Sequence, residues 1–463
     1  MNVCVIGGAG YVGLITGLGL AELGHRVVNV DIDAAHVERL NRGDSPIYEE
    51  GIGPLLRRHL DSGRIRFTQL LPAGLVDSEV VIIAVGSPAQ DDGHADLSAI
   101  SSVAEDLSKH WDEPDGRYRV IAIKSTVPVG TAELVRSIMG RQKREGEDFD
   151  IISNPEFLRE GKGLHDFFYP DRIVIGSDSE RARAVIKELY EPVIQRRVRF
   201  NGEEPPGSEP VPLVETSLAS AQMIKYASNA FLATRISFIN EVAWLCERTG
   251  ADVKEVSYGM GFDSRIGHAY LDAGLGFGGP CLEKDLRALI KISEASGYDP
   301  QLLRSVLERN QRQVEEVVAR VKEAAGDVLY QRVITVFGLA FKPQTNDLRN
   351  SQSLEVIQRL REQGATLRAH DPVALPEARA LDPGAAYIDD PYEAVHGSDA
   401  LLILTAWPQY AELDYGRIKE RMASPCIIDA RNLLDGSLLR ALGFSYTGVG
   451  RGPSRASTEP RIG

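Results

Sequence analysis

Cys281 is the residue of this 463-residue chain whose type and setting most directly suggest covalent chemistry. It stands in Gly276-Phe277-Gly278-Gly279-Pro280-Cys281-Leu282-Glu283-Lys284-Asp285. Beyond it, Leu286, Leu289, Ile290 and Ile292 recur at near-helical spacing as far as Gly297. The spacing therefore puts Cys281 in the first turn of a helix, among N–H groups that lack an intrahelical acceptor. Such a position favours thiolate over thiol. Asp285, four residues on, shares the helical face of Cys281, so a nucleophile and a carboxylate able to activate water lie side by side. The preceding glycines allow close approach of backbone to a ligand. On their own, these residues also suit an inert cysteine after a turn. Lys225 and Asn229, at i and i+4 in a long helical pattern over residues 213–249, project from one face; a solvated lysine is the plainer reading of that pair.

The elements that would position these groups begin at the N-terminus. An apolar run at residues 3–6 enters Gly7-Gly8-Ala9-Gly10-Tyr11-Val12-Gly13, followed by an apolar helical pattern over 14–23 and a second strand, 26–30, closing on Asp31. In the context strand, glycine turn, helix, strand, this is a dinucleotide-binding fingerprint. Gly8 is expected to make the turn, Gly10 to admit a pyrophosphate, Gly13 to permit helix-to-strand contact and Asp31 to hold a ribose diol. Asp31 favours NAD over NADP, whose 2′-phosphate it would repel. Gly7 has no evident task.

Further strands at 80–85 and 120–124 run into Ser87 and Thr126, which point toward the cofactor crevice of an open parallel sheet or serve as turn and cap residues. A run at 150–152 leads into Ser153-Asn154-Pro155-Glu156-Phe157-Leu158-Arg159-Glu160-Gly161, with Glu156 and Glu160 four apart. Residues 201–211, rich in Pro, Gly and Glu, read as a loop or linker, and the long helix that follows as a domain or subunit spacer. His268 has no second ligand at metal spacing, and no metal is expected. From Val333 strands and helices alternate again, without a second GxGxxG, so no second NAD is expected there; Lys342, Arg349 and Arg431 are basic groups suited to anionic phosphates. The chain thus divides into an α/β nucleotide-binding domain at 1–205, a central helical domain with the cysteine loop at 206–325, a second α/β domain at 326–446 and a polar tail at 447–463 expected to be disordered.

A hydrophobic content of 43% suits ordinary globular cores, and a net charge of −14 disfavours nucleic acid as a partner. Four cysteines without a CxxC pair indicate a reducing compartment, read as cytoplasm. No signal peptide or apolar run long enough for a bilayer is present, so no membrane association is expected.

Six separated signatures then follow in order: Gly8-Ala9-Gly10-Tyr11-Val12-Gly13; Lys124-Ser125-Thr126-Val127-Pro128; Asn154-Pro155-Glu156-Phe157-Leu158-Arg159-Glu160-Gly161; Lys225-Tyr226 with Asn229-Ala230-Phe231-Leu232; Gly276-Phe277-Gly278-Gly279 with Cys281 and Lys284-Asp285; and Phe341-Lys342 with Thr345, Asp347 and Arg349. Together, over about residues 1–445, they resemble the nucleotide-sugar 6-dehydrogenases of the UDP-glucose/GDP-mannose dehydrogenase family, and within it the branch acting on UDP-glucose. The resemblance implies two Rossmann-like parallel-sheet domains joined by a central helical dimerisation domain. It also implies four-electron oxidation of the sugar C6 with two NAD, through a thiohemiacetal and a thioester on Cys281. Lys225 and Asn229 would stabilise the oxyanion, Asp285 and Thr126 would hold or activate water, and Glu160 would act as base or position that water. Glu156 is similar to the family's other active-site carboxylate.

By the same resemblance, Gly8, Gly10, Tyr11, Val12, Gly13, Asp31, Ser87, Thr126, Glu160 and Arg349 would contact NAD, and His36 stands where Lys or Arg often meets its adenosine end. Phe157, Leu158, Arg159, Glu160, Tyr270, Phe277, Gly278, Lys342 and Arg431, with Lys225 and Asn229, would contact the nucleotide sugar. Arg265 resembles an arginine donated by the partner of a homodimer. Pro280 and Leu282 depart from the family's usual Ser and Phe, and Pro280 excludes an oxyanion contact from its own backbone nitrogen. The same chemistry on a UDP-N-acetylhexosamine, GDP-mannose or dTDP-glucose, an inactive nucleotide-sugar-binding homologue, and a two-electron 2-hydroxy-acid dehydrogenase are the alternatives.

Overall fold

The computed structural model describes residues 1–90, 92–111, 117–381 and 385–451. It divides into two compact units, Met1–Ser228 with Arg287–Ile292, and Asn229–Leu286 with Ser293–Gly463. The first expected boundary, at residue 205, thus lies ahead of the end of the first unit's main segment at Ser228.

The first unit is built on strands β1 (Asn2–Ile6), β2 (Arg26–Val30), β3 (Ile65–Thr68), β4 (Val80–Ile83), β5 (Arg119–Ile123), β6 (Phe149–Ser153), β7 (Ile173–Gly176) and β8 (Leu213–Thr216). Their spatial order is β3-β2-β1-β4-β5-β6-β7-β8. The first six run parallel; β7 meets β6 antiparallel through Ser153 and Gly176, and β8 pairs parallel with β7. Alternate residues of one strand feed two cores. Val3 and Val5 pack with the layer containing Leu14, Leu18 and Phe167, whereas Cys4 and Ile6 pack with the layer containing Leu107, Trp111 and Val135. Cover on both faces explains why these strands read as unbroken apolar runs.

The second unit repeats the scheme with β9 (Val333–Phe337), β10 (Thr366–His370), β11 (Ala386–Tyr387), β12 (Ala400–Ile403), β13 (Cys426–Asp429) and β14 (Ser445–Gly448), in the order β11-β10-β9-β12-β13-β14. All are parallel. Ala400 and Leu402 face one core, Leu401 and Ile403 the other.

Three expectations change. The long helix begins at Leu218, not at residue 213, because residues 213–216 form β8 and Ser217 turns the chain, its hydroxyl accepting the Ser220 N–H at 3.2 Å. Residues 447 and 448 belong to β14, and Val449 is buried, so the tail's first residues are part of the fold; residues 452–463 lie outside those described. Gly7 does have a task. Its φ is +80°, and a Cβ there would stand 2.7 Å from the Ala84 carbonyl oxygen, so Gly7 makes the left-handed turn assigned above to Gly8. Gly8 instead lies against Asn29, whose Cβ would be 2.5 Å from an added one. At Gly13 the added atom would meet the Gly7 carbonyl oxygen at 2.1 Å, which is the close helix-to-strand contact expected. Among the described residues, no helix is long and apolar enough to cross a membrane, and no group of three His, Cys, Asp or Glu could hold a metal ion.

Candidate active site

The helix Tyr11–Glu22 starts directly after the glycine turn, with Gly10 at its N-cap and no side chain capping it. A Cβ at Gly10 would meet nothing nearer than the Gly7 carbonyl oxygen at 3.5 Å, so the mouth of the turn is open. Asp31, at the end of β2, accepts the Ala9 N–H on Oδ2 at 2.9 Å and the Asp33 N–H on Oδ1 at 3.1 Å, and it stays partly exposed. An open glycine turn, an uncapped helix start and an accessible carboxylate suit the pyrophosphate and ribose of NAD. Ser87 is buried and donates to the Thr126 carbonyl at 2.6 Å, which ties the ends of β4 and β5 together. His36 is engaged with its own helix cap, Nδ1 lying 3.3 Å from Asp33.

On the same unit, Lys225 Nζ lies 3.0 Å from Glu156 Oε1, and both side chains are buried. Removing either member of such a pair strands the other, at a cost of about 3–5 kcal/mol. Glu156 also accepts the Leu158 N–H, which fixes the start of the loop carrying Phe157, Leu158, Arg159 and Glu160. Arg159 projects outward and pairs with Asp166 at 2.6 Å.

In the second unit, Cys281 is exposed while Cys4, Cys246 and Cys426 are buried. Its helix is Leu282–Ala295, and the Cys281 carbonyl accepts the Asp285 N–H at 2.9 Å; Cys281 is thus the residue before the first turn rather than within it. The N–H groups of that turn still follow directly on the thiol. Asp285 is buried, with Oδ2 accepting from Asn229 Nδ2 at 2.6 Å and Oδ1 facing Lys284 Nζ at 2.6 Å. Arg431 donates from Nη1 to the Gly276 carbonyl at 2.9 Å and from Nε to Leu404 at 2.7 Å. Burial brings its guanidinium down to about 10, against the opposing pull of Asp429. Phe277 is buried, and Tyr270 holds a left-handed backbone at φ +61°.

The structure therefore pairs Glu156 with Lys225 in one unit and Asn229 with Asp285 in the other. Lys225 and Asn229 are one turn apart on the helix Leu218–Thr249, which is divided between the units after Ser228. Arg349 and Arg265 are outward-facing and paired with Asp347 at 2.5 Å and Asp263 at 2.6 Å. Lys342 Nζ lies 5.4 Å from the Phe341 ring centre.

Several residues at the site escaped sequence reasoning. Buried Glu49 accepts the Tyr11 hydroxyl at 2.6 Å and the Leu164 N–H at 2.8 Å, and Tyr11 also reaches the Arg159 carbonyl at 3.0 Å. Burial and then Glu49 hold the Tyr11 phenol far above its usual range, so it remains a donor. Arg172 stacks 3.5 Å over Phe157, and burial lowers its pKa. Asn240, Asn310, Gln313 and Asn432 bind the backbone of residues 273–277. None has a local pattern; a glycine-rich loop with no strand to pair with is the single hint that side-chain amides must serve it.

A doubly wound domain with an open glycine turn, an uncapped helix start and an accessible carboxylate at the end of its second strand defines a nicotinamide-dependent dehydrogenase. Residues 1–194 match the NAD binding domain of the UDP-glucose/GDP-mannose dehydrogenase family, residues 219–312 its central domain and residues 335–436 its UDP binding domain. The chain belongs to this family, and its cofactor is NAD. It is 43% identical over 461 residues to a UDP-glucose 6-dehydrogenase of Bacillus subtilis (strain 168), covering 99% of this chain and 95% of that one. It is 43% identical over 460 residues to a UDP-glucose 6-dehydrogenase of Pseudomonas aeruginosa, covering 97% and 98%. The solved UDP-glucose dehydrogenase of Pyrobaculum islandicum superposes with a TM-score of 0.86 at 38% identity, covering 97% of each chain.

Proposed function

We propose that this protein oxidises UDP-glucose at C6 to UDP-glucuronate, and that Cys281 carries the sugar between two oxidations. The carrying observation is the exposed thiol at the helix entry, one turn ahead of an Asp285 held on both oxygens by Asn229 and Lys284. NAD, when bound, accepts one hydride from C6 in each oxidation. Lys225 and Asn229, one turn apart, supply a cation and an amide for the C6 oxygen as it loses its proton. The Cys281 sulfur adds to the resulting aldehyde carbon and its proton passes to the carbonyl oxygen, forming a C–S bond and a thiohemiacetal hydroxyl, so that the hydrogen already on that carbon can leave as hydride from a tetrahedral carbinol. The second oxidation leaves a thioester. Water, activated by Asp285 with Thr126 and Glu160, adds to the carbonyl, the C–S bond breaks and the thiol regains its proton. Glu156, buried against Lys225, holds that ammonium in place. Gly8, Gly10, Val12, Gly13, Asp31 and Ser87 would hold the dinucleotide. Phe277, Gly278, Lys342 and Arg431 would hold the nucleotide sugar.

The working form proposed is a homodimer in a reducing cytoplasm. Phe231, Phe238 and Leu245 recur every seven residues on the long helix and are 62%, 50% and 50% exposed, an apolar stripe that a second copy would cover. Light scattering reads the mass, and a monomeric Phe238→Glu variant beside a dimeric wild type is the expected result. The cysteines form no disulfide, which suits that compartment; cell fractionation checks it.

The reaction is tested by counting NADH per limiting nucleotide sugar over a panel of UDP-, GDP- and dTDP-hexoses. Two NADH per UDP-glucose are expected for wild type, with Cys281→Ser forming no uronate. One NADH per sugar, or full turnover without the thiol, overturns the thioester route; binding without turnover on any sugar identifies an inactive homologue.

A further inference from the structure

The loop leading to Cys281 is held by side-chain amides. Asn240 Oδ1 accepts the Gly274 N–H at 2.8 Å, and Gln313 Nε2 donates to the Gly274 carbonyl at 2.5 Å. Asn310 takes both polar groups of a single residue: its Oδ1 accepts the Phe277 N–H at 2.8 Å and its Nδ2 donates to the Phe277 carbonyl at 2.9 Å. Asn310 and Gln313 are buried, three residues apart on one face of the helix Gln301–Ala325. Gly276, at φ +94°, passes so close that a Cβ would stand 2.4 Å from Asn310 Oδ1.

A bond at each polar group of Phe277 restrains φ and ψ of that residue together. Between it and the thiol lie only Gly278, Gly279 and Pro280. Gly279 is itself bonded through its N–H to the Asn350 carbonyl at 3.2 Å, and Pro280 has a ring-fixed φ. Little slack is left, so the amide that sets Phe277 also sets the approach of the chain to Cys281.

We infer that Asn310 is a positioning residue: by clamping the Phe277 backbone it aims the loop that receives the nucleotide sugar and delivers Cys281. This rests on the function proposed above, and it adds a residue far from the chemistry in sequence. The test uses the full chain with Asn310→Asp, which keeps size and acceptor but turns an oxygen toward the Phe277 carbonyl, and Asn310→Ala. Gly276→Ala, which presses on Asn310 without removing any hydrogen-bonding group, is the second line of attack should the first two fail to fold. With UDP-glucose, kcat/KM should fall on the order of 10²-fold while the KM for NAD changes by less than about twofold. Cys281 alkylation by iodoacetamide, followed by peptide mass, should lose its protection by UDP-glucose. Unchanged kcat/KM, or a loss that only follows the folded fraction in a melting curve, overturns the proposal. Should wild type not oxidise UDP-glucose, the functional reading fails separately; the alkylation rate and its pH profile still test the clamp, and identical profiles in wild type and variants overturn it.

Discussion

Gly7 in the first sheet and Gly338 in the second hold the same place, just past the central strand of an order that runs outward both ways. Their φ values are +80° and +97°, and each packs on the chain leaving the neighbouring strand, Gly7 on Ala84 and Gly338 on Thr405. Each donates its N–H to the last residue of the adjacent strand, Val30 at 2.9 Å and His370 at 2.8 Å. An aspartate follows that residue in both, Asp31 and Asp371. There the likeness ends. Asp31 receives one N–H on each oxygen and stays partly exposed, in front of a helix that begins at Tyr11. Asp371 is buried and receives five donors, from the backbone of Leu339, Ala340, Val373 and Ala374 and from the Trp407 indole. The next helix of its unit starts only at Gln352. One topology thus serves two ends: a carboxylate with spare acceptor capacity and a helix start can take a ribose and a pyrophosphate, and a carboxylate consumed by its own loop cannot. The intervening loop instead supplies the Asn350 carbonyl to Gly279, ahead of Cys281.

The two aspartates should respond in opposite ways to truncation. Asp371→Ala should cost about 4 kcal/mol in a urea melt, since buried donors lose a charged acceptor, and should leave the KM for NAD unchanged once folded. Asp31→Ala should do the reverse, raising that KM on the order of tenfold with a stability change below about 1 kcal/mol. An equal effect of both on NAD would end the distinction. The two glycines should behave alike: Gly7→Ala and Gly338→Ala each combine a left-handed backbone with a backbone clash, for a loss of about 2–3 kcal/mol by the same melt. The smallest effect is at acid pH. Burial lowers the pKa of His370, which faces Tyr410, Phe337 and Asp371, and of His25, which faces the N-terminal ammonium and the Leu189 carbonyl. Below the usual value near 6.5 the unfolded chain binds protons that the folded one resists, so stability should fall as pH drops through that region. His370→Gln and His25→Gln should each flatten that slope in melts between pH 7 and pH 5; a slope that neither variant changes removes both histidines as its cause.

Where structure depends on neighbours in the chain, the residues sufficed. Runs such as Val80–Ile83, buried on both sides, could only be interior strands, and the glycines at 8, 10 and 13 with Asp31 announced the dinucleotide turn. The placement of the candidate groups was also visible in residue types and spacing, in the thiol before a helix and the lysine and asparagine one turn apart. Edge strands were missed because half their residues face water: β3 alternates Ile65, Arg66, Phe67, and β14 has one face exposed. The antiparallel β7 and its partner β8 carry no local mark of direction, which was decided when the sheet closed on Ser153 and Gly176. Tertiary structure alone decided the polar frame. Asn229 meets Asp285 across 56 residues, Tyr11 meets Glu49 across 38 and Asn310 meets Phe277 across 33. A buried amide or carboxylate must find a partner, but its own identity does not say where in the chain that partner lies. Periodicity reports which face is apolar within a few residues; the pairing of buried polar groups is fixed only when distant segments have packed and water has gone.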